Sequence, residues 1–347
     1  MATYPRLADN DSRPLKLAVI GAGSMGRNHL RVLNDLESVD LVGVADAALD
    51  VAERAARRFH IPAFGSYAEM LDKVRPDGVV VAVPTVLHRE VTLAALSYGV
   101  HVLVEKPIAF TVEAGREMIE AARQAGLILT VGHIERYNPA ILELHRRLRE
   151  QQLGRVFQMN ARRLGPFPPR VRDVGVVIDL ATHDVDIMRF LSGSEVVRVQ
   201  AETARRIHTE HEDLLSGLLR FANDSIGVLD INWLTPTKIR ELMITGERGA
   251  FQANYLTQDL YFYENNYAKT DWDTISNIEG VSEGDMVRLR IEKTEPLRVE
   301  LDRFVRAIRG EDVSIVSGDD GLQALHVAAM IVESGLEGRA IYLNEEG

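Results

Sequence analysis

The 347-residue chain has no cysteine, few aromatic residues (6%) and a shortage of positive charge, with 40 Lys+Arg against 51 Asp+Glu and a net charge of −11. Without cysteine there can be no disulfide, thiolate nucleophile, iron–sulfur cluster or cysteine-held zinc, and a reducing cytoplasm is the compartment that fits. A phosphate backbone is bound chiefly by clustered Lys and Arg, so the acidic balance argues against nucleic acid as a partner. No run reaches the roughly 18 uncharged apolar residues of a spanning helix, and no membrane association is expected. The first 14 residues lack the apolar stretch of a secretory signal and are expected to form a loose tail. What remains is of globular type, 46% hydrophobic and 26% charged. At about 150 residues per domain, the length predicts two domains.

From Leu15 onward, short apolar stretches (LKLAVIGAG, VDLVGVADA, DGVVVAVP, HVLVEKP, LILTVGH) alternate with segments of helical spacing such as SMGRNHLRVLNDL. Buried strands alternating with amphipathic helices predict parallel strands covered on both faces, an α/β Rossmann domain (a doubly wound parallel sheet) over residues 15–135. Then the rhythm changes. NPAILELHRRLREQ reads as one helix, and VFQMNARR, VVRVQAETARR, LLSGLLRF, SIGVLDINWL and KIRELMITG read as longer strands punctuated by turns such as FANDSIG. Two helices follow, around Arg298–Arg309 and Gly321–Glu333. Residues 136–347 are therefore expected to form an α+β domain with a large, mainly antiparallel open sheet, its last helices able to pack back on the first domain.

Gly21-Ala-Gly23-Ser24-Met25-Gly26 is a G-x-G-x-x-G element lying directly after a strand and opening a helix, the context in which such a turn cradles a dinucleotide diphosphate. The helix N-terminus carries about half a positive charge, which suits that group. Twenty residues past Gly26, Asp46 ends the second strand, where a carboxylate accepts hydrogen bonds from a ribose 2′-hydroxyl and repels a 2′-phosphate. NAD is thus favoured over NADP, with Arg27 and Arg54 the nearby basic residues able to moderate the preference.

Lys106 ends the fifth strand, at the sheet edge where open α/β folds place their ligands. A lysine there can polarise a hydroxyl, although a surface stem with its ammonium in water is the commoner fate. Asp179, His183 and Asp186 fall at i, i+4 and i+7, one face of a helix. Histidine, with an unperturbed pKa of about 6.5, suits the removal of a hydroxyl proton. Arg162, Arg163, Arg170 and Arg172 form a basic run with two prolines after Phe167, able to receive a diphosphate through guanidinium forks or to serve as a solvated loop or subunit contact. Arg136, Tyr137 and Asn138 are candidate sugar contacts, with Asn138–Pro139 equally readable as a helix start. His208, His211 and Glu212 lack a metal-binding order, and no metal is expected. Trp233, Trp272 and residues 261–263 read as strand packing or a subunit face.

The glycine element together with Val104-Glu105-Lys106-Pro107, Gly132-His133 and the Gly175–Asp186 segment resembles the Gfo/Idh/MocA oxidoreductase family over roughly residues 15–343. GHIERYNPAI (132–141) and residues 161–191 are similar to UDP-N-acetylglucosamine 3-dehydrogenases within it. The resemblance implies an NAD-dependent dehydrogenase acting on a secondary hydroxyl of a sugar or cyclitol. It implies a Lys106–Pro107 bond that is often cis, His183 as acid/base and Asp179 as substrate-orienting partner; Asp186 departs from that dyad and is expected as a further carboxylate orienting it. Pro84, His88 and Glu105 join the glycine turn, Asp46 and Lys106 as expected cofactor contacts, and Arg163 and Arg170 join Asp179 and His183 as expected substrate contacts. A UDP sugar is the expected substrate. A free sugar or cyclitol, or a non-catalytic NAD-sensing regulator, are the alternatives. A homodimer or homotetramer is expected from the open sheet.

Overall fold

The computed structural model describes residues 13–168, 174–207, 210–268 and 280–343. In chain order these form β1 (Leu15–Ile20), α1 (Ser24–Asn34), β2 (Val39–Ala45), α2 (Leu49–Arg57), β3 (Ala63–Phe64), α3 (Tyr67–Val74), β4 (Gly78–Val81), α4 (His88–Ser97), β5 (His101–Glu105), α5 (Val112–Ala125), β6 (Leu129–Gly132), α6 (Pro139–Arg149), β7 (Val156–Pro166), α7 (Thr182–Ser192), β8 (Val196–Ala204), β9 (Leu214–Phe221), β10 (Ile226–Asn232), β11 (Leu234–Gly246), β12 (Gly249–Asn254), β13 (Asp259–Ala268), β14 (Gly280–Arg288), α8 (Pro296–Ile308), α9 (Gly318–Glu337) and β15 (Ile341–Tyr342).

Two compact units result, one reaching Tyr137 and including Glu295–His326, the other comprising Asn138–Thr294 and the chain from Val327. The first is built on a six-stranded sheet of order β3-β2-β1-β4-β5-β6, parallel at every pairing. The strands read as apolar runs because both faces are covered: Leu17, Val19, Val80 and Leu103 are fully buried. Strand order reverses between β1 and β4, and the crevice beyond the strand ends at that point is where such sheets bind ligands. The unit's first stretch of chain ends at Tyr137, and Glu295–His326 return to it. Leu297, Leu301, Phe304 and Ile308, at helical spacing on α8, are buried in the same core as β1 and α1, each side chain contributing roughly 1.5–3 kcal/mol by burial.

The second unit carries a nine-stranded sheet of order β14-β13-β12-β11-β7-β10-β9-β8-β15. Its pairings are antiparallel except for β7 with β10. Alternation gives it two unlike faces. Met159, Ala161, Leu219, Leu229, Leu242 and Ile244 are buried in one core with residues of α6 and α7. The opposite face presents Arg162 and the exposed Leu218 and Met243. Among the described residues no helix is long and apolar enough to cross a membrane.

Candidate functional site

The glycine turn is built by contacts that only glycine tolerates at two places. Gly21 has φ +98° and a Cβ there would lie 2.4 Å from the Ala82 carbonyl oxygen of the neighbouring strand end, so a side chain is excluded both by conformation and by space. A Cβ at Gly26 would lie 1.8 Å from the Gly21 oxygen, which is how closely α1 packs on the turn. Gly23 differs, since a Cβ there would meet nothing within 4 Å. It stands at the N-cap of α1 with no side chain satisfying the helix N-terminus. Open space against unsatisfied N–H groups is what a diphosphate requires.

Asp46 braces this turn while facing the same crevice. Its Oδ2 accepts from the Ala22 N–H at 2.8 Å and its Oδ1 from the Ala48 N–H at 2.9 Å, joining the β1 and β2 loops. A cavity of about 600 Å³ runs along Gly21, Gly23, Asp46, Tyr67, Pro84 and Glu90. The two basic residues expected to moderate the cofactor preference are engaged: Arg54 pairs with Asp50, and Arg27 donates to the Ala22 carbonyl at 2.9 Å. The residues present fit a nicotinamide dinucleotide with free ribose hydroxyls.

Lys106 follows β5, and its bond to Pro107 is cis. The segment is gripped on both sides. The preceding Glu105 accepts from His29 Nε2 at 2.7 Å, and a Cβ at Gly132 would crowd its carboxylate at 3.2 Å. Burial pushes Glu105 upward, but the His29 hydrogen bond and the charges of His29, Lys106 and His88 outweigh it and hold the carboxyl below its usual range. On the other side, His88 is 1% exposed, with Nδ1 2.9 Å from the Pro107 oxygen and Nε2 3.0 Å from the Val83 oxygen. Burial lowers its pKa, partly offset by those carbonyls and Glu105. The neutral ring donates to one carbonyl at a time. His88, expected to touch the cofactor, is thus placed as a pin between the β4 and β5 loops. Glu300 on α8 lies fully buried in the same unit, and burial first, then Glu105, raise its carboxyl well above the usual range.

In the second unit Asp179 and His183 are half-buried and Asp186 is fully buried. The helix expected here begins as a π-helical turn over Val177–Ala181 before continuing as α7, a distortion that frequents functional sites. Its start is capped from a distance: the Val177 N–H donates to Glu212 Oε1 at 3.1 Å and the Val176 N–H to the Glu212 carbonyl at 2.9 Å. Arg163, expected to receive a diphosphate, is 3% exposed and forks onto Asp184, with Nε to Oδ2 at 2.6 Å and Nη2 to Oδ1 at 3.1 Å. Its guanidinium also lies 5.2 Å from the Tyr255 ring centre.

Arg136, Tyr137 and Asn138 are buried, with polar atoms in architectural contacts. Arg136 pairs with Asp320 at 3.2 Å, and the Tyr137 hydroxyl accepts from the Val316 N–H at 3.2 Å. Asn138 caps α6 through the Ala140 N–H at 3.1 Å and donates to the Tyr255 carbonyl at 3.0 Å. Arg170, Arg172, His208 and Trp272 lie outside the described residues. Trp233 is 3% exposed, edge-on to Phe167. Among the described residues no group of three or more His, Asp or Glu side chains is arranged to hold a metal.

Sequence reasoning passed over His29, Glu300 and Asp184, and weighed Glu212 only as a metal ligand, not as a helix cap. Glu300 left a local signal, a carboxylate at helical spacing within the apolar stripe Leu297, Leu301, Phe304.

Comparison with known proteins agrees with this arrangement. Residues 15–133 match the oxidoreductase family with an NAD-binding Rossmann fold, and residues 141–252 match the Gfo/Idh/MocA C-terminal domain. The chain belongs to the Gfo/Idh/MocA oxidoreductases. As a member of that family it is an NAD-dependent oxidoreductase. It is 28% identical to the UDP-N-acetylglucosamine 3-dehydrogenase of Acidithiobacillus ferrooxidans, over 91% of this chain and 96% of that one. A solved structure of that organism's enzyme GnnA aligns with a TM-score of 0.81 at 28% identity, covering 92% of this chain and 97% of the other. GenD2 from gentamicin A biosynthesis, solved with NAD, is 26% identical with a TM-score of 0.80, covering 98% and 99%. Inositol 2-dehydrogenase 2 of Saccharopolyspora erythraea is 36% identical, over 55% of this chain and 58% of that one.

Proposed function

We propose that this Gfo/Idh/MocA oxidoreductase oxidises C3 of UDP-N-acetylglucosamine to the 3-keto nucleotide sugar. The observation that carries the reading is likeness to a UDP-N-acetylglucosamine 3-dehydrogenase along nearly the whole of both chains, with Lys106 at a strand end and Asp179 and His183 one helical turn apart. NAD, when bound, supplies the acceptor for the hydride at the nicotinamide C4. His183 takes the hydroxyl proton as the C–H bond breaks, so that alcohol becomes ketone with proton and hydride both accounted for. Lys106 stabilises the negative charge developing on the oxygen, and Asp179 accepts a hydrogen bond from a sugar hydroxyl to fix the ring. Asp186 and the Arg163–Asp184 pair support that helix, and Arg170 is left to meet the diphosphate. A cytoplasmic homo-oligomer joined through the open sheet face, where Leu218 and Met243 are exposed, completes the proposal.

A cyclitol substrate is the second reading, favoured by the inositol dehydrogenase match and by Arg163 being engaged with Asp184. The test is NADH absorbance with purified protein, NAD and, separately, UDP-N-acetylglucosamine, myo-inositol and glucose. Signal with the nucleotide sugar, and a ketone located at C3, are expected. Turnover of inositol alone would transfer the assignment to the cyclitol. His183→Ala should lose about 10²–10⁴-fold in turnover while still binding NAD, and a variant with unchanged turnover removes His183 from the acid/base role.

A further inference from the structure

We propose that Glu90 reads the base of the dinucleotide, admitting adenine and rejecting a 6-oxopurine. The cavity that begins at Gly21 and Gly23 passes Asp46 and ends among Tyr67, Leu87, Glu90 and Val91. With the diphosphate at the start of α1 and the adjoining ribose at Asp46, the base falls to that far end. Its walls there are chiefly apolar, which suits the faces of any purine and distinguishes none. Glu90 supplies the discriminating group. It is held by the Tyr67 hydroxyl, which donates to Oε1 at 2.7 Å and ties the first turn of α3 to the first turn of α4. Glu90's hydrogen bond pushes the Tyr67 phenol up to about 12, so it remains a donor throughout the neutral range. The adjacent Arg89 is turned to Glu117, and among the described residues Glu90 Oε2 accepts no hydrogen bond.

A carboxylate only accepts hydrogen bonds. The 6-amino group of adenine donates to it, whereas the 6-oxo group of hypoxanthine sets acceptor against acceptor. The inference uses the cofactor alone and stands apart from the sugar assignment, whose failure would leave it untouched.

The test is calorimetric titration of the full-length chain with NADH and with reduced nicotinamide hypoxanthine dinucleotide, no sugar present. The hypoxanthine form should bind about ten- to hundredfold more weakly, the range of a hydrogen bond to a charged acceptor. Glu90→Gln, whose amide can offer either an oxygen or an NH2, should bring the two affinities within about threefold. Tyr67→Phe leaves the carboxylate unanchored and should narrow the gap by a smaller amount. Equal affinities in the native protein, or a ratio unaltered by Glu90→Gln, would overturn the proposal. Should Glu90→Gln fail to fold, the native ratio and Tyr67→Phe decide the matter.

Discussion

The strand end that carries Lys106 and the helix that carries His183 are secured by different chemistry. Around Lys106 the fastenings are imidazoles: His29 on Glu105, and His88 between the Pro107 and Val83 carbonyls. Around His183 they are charged partners: Arg163 forked on Asp184, and the Glu212 carboxylate on the start of the π-helical turn. A buried fork binds tightly and is strongly directional, but each half is costly to leave alone. The His88 clamp is weaker and, with its pKa lowered by burial, yields to acid. The first unit should therefore loosen in acid before the second, and the second should suffer more from the loss of a single partner.

Removing the fork gives the largest expected effect. Arg163→Ala leaves Asp184 buried without its guanidinium and should cost the second unit about 3–5 kcal/mol. Both tryptophans fall in that unit's stretch of chain, so denaturation followed by tryptophan fluorescence reports it directly. A loss below about 1 kcal/mol would place the pair among weak surface bridges and erase the contrast. Next comes His88→Leu, which takes away the ring donor shared by the Pro107 and Val83 carbonyls and should destabilise the first unit by about 1–3 kcal/mol, read by hydrogen exchange at β4 and β5. An unchanged exchange pattern would show that the loops are held by other contacts.

The smallest effect is the pH slope. His101 accepts from the Ile128 N–H at Nδ1, 3.0 Å away, and burial lowers its pKa. His88 is lowered by burial as well. For both, the unfolded chain takes up a proton near pH 6.5 that the native state resists. Their contribution is complete above that pH and is lost as pH falls through it toward the native values. His101→Asn keeps an acceptor for Ile128 and should flatten the slope of first-unit stability below pH 6.5 by up to about 1.4 kcal/mol per pH unit. An identical slope would remove His101 from the acid response.

The first unit was legible because its signals are local. The glycine turn, the Asp46 spacing and the strand–helix alternation each lie within a few dozen residues, and β1–β6 follow them. The second unit was legible as strands as far as β11, since periodicity survives without knowledge of partners. What was hidden was pairing across distance. Glu212 caps a turn 35 residues away, and nothing in the residues beside it in sequence announces it. Arg163 was readable in principle: Met159, Ala161 and Arg163 share one parity of β7 and Gln158, Asn160 and Arg162 the other. The basic run suggested a loop, but alternation places Arg163 inward and Arg162 outward. Asp184 then follows as the charge that such a buried guanidinium demands.

The return of α8 to the first unit has a consequence for how the protein is made. Leu297, Leu301 and Phe304 complete a core begun at Leu15, so the nucleotide-binding unit emerges from the ribosome with a bare apolar face and stays so until almost 300 residues have been joined. The intervening sheet has its own delay, because β7 sits between β10 and β11 and must wait some 60 to 70 residues for either neighbour. Closing contacts of such span slows folding. During synthesis the exposed face around Leu30 and Leu33 is where a holding chaperone would be needed, and a fragment stopped near residue 137 would keep that need permanently.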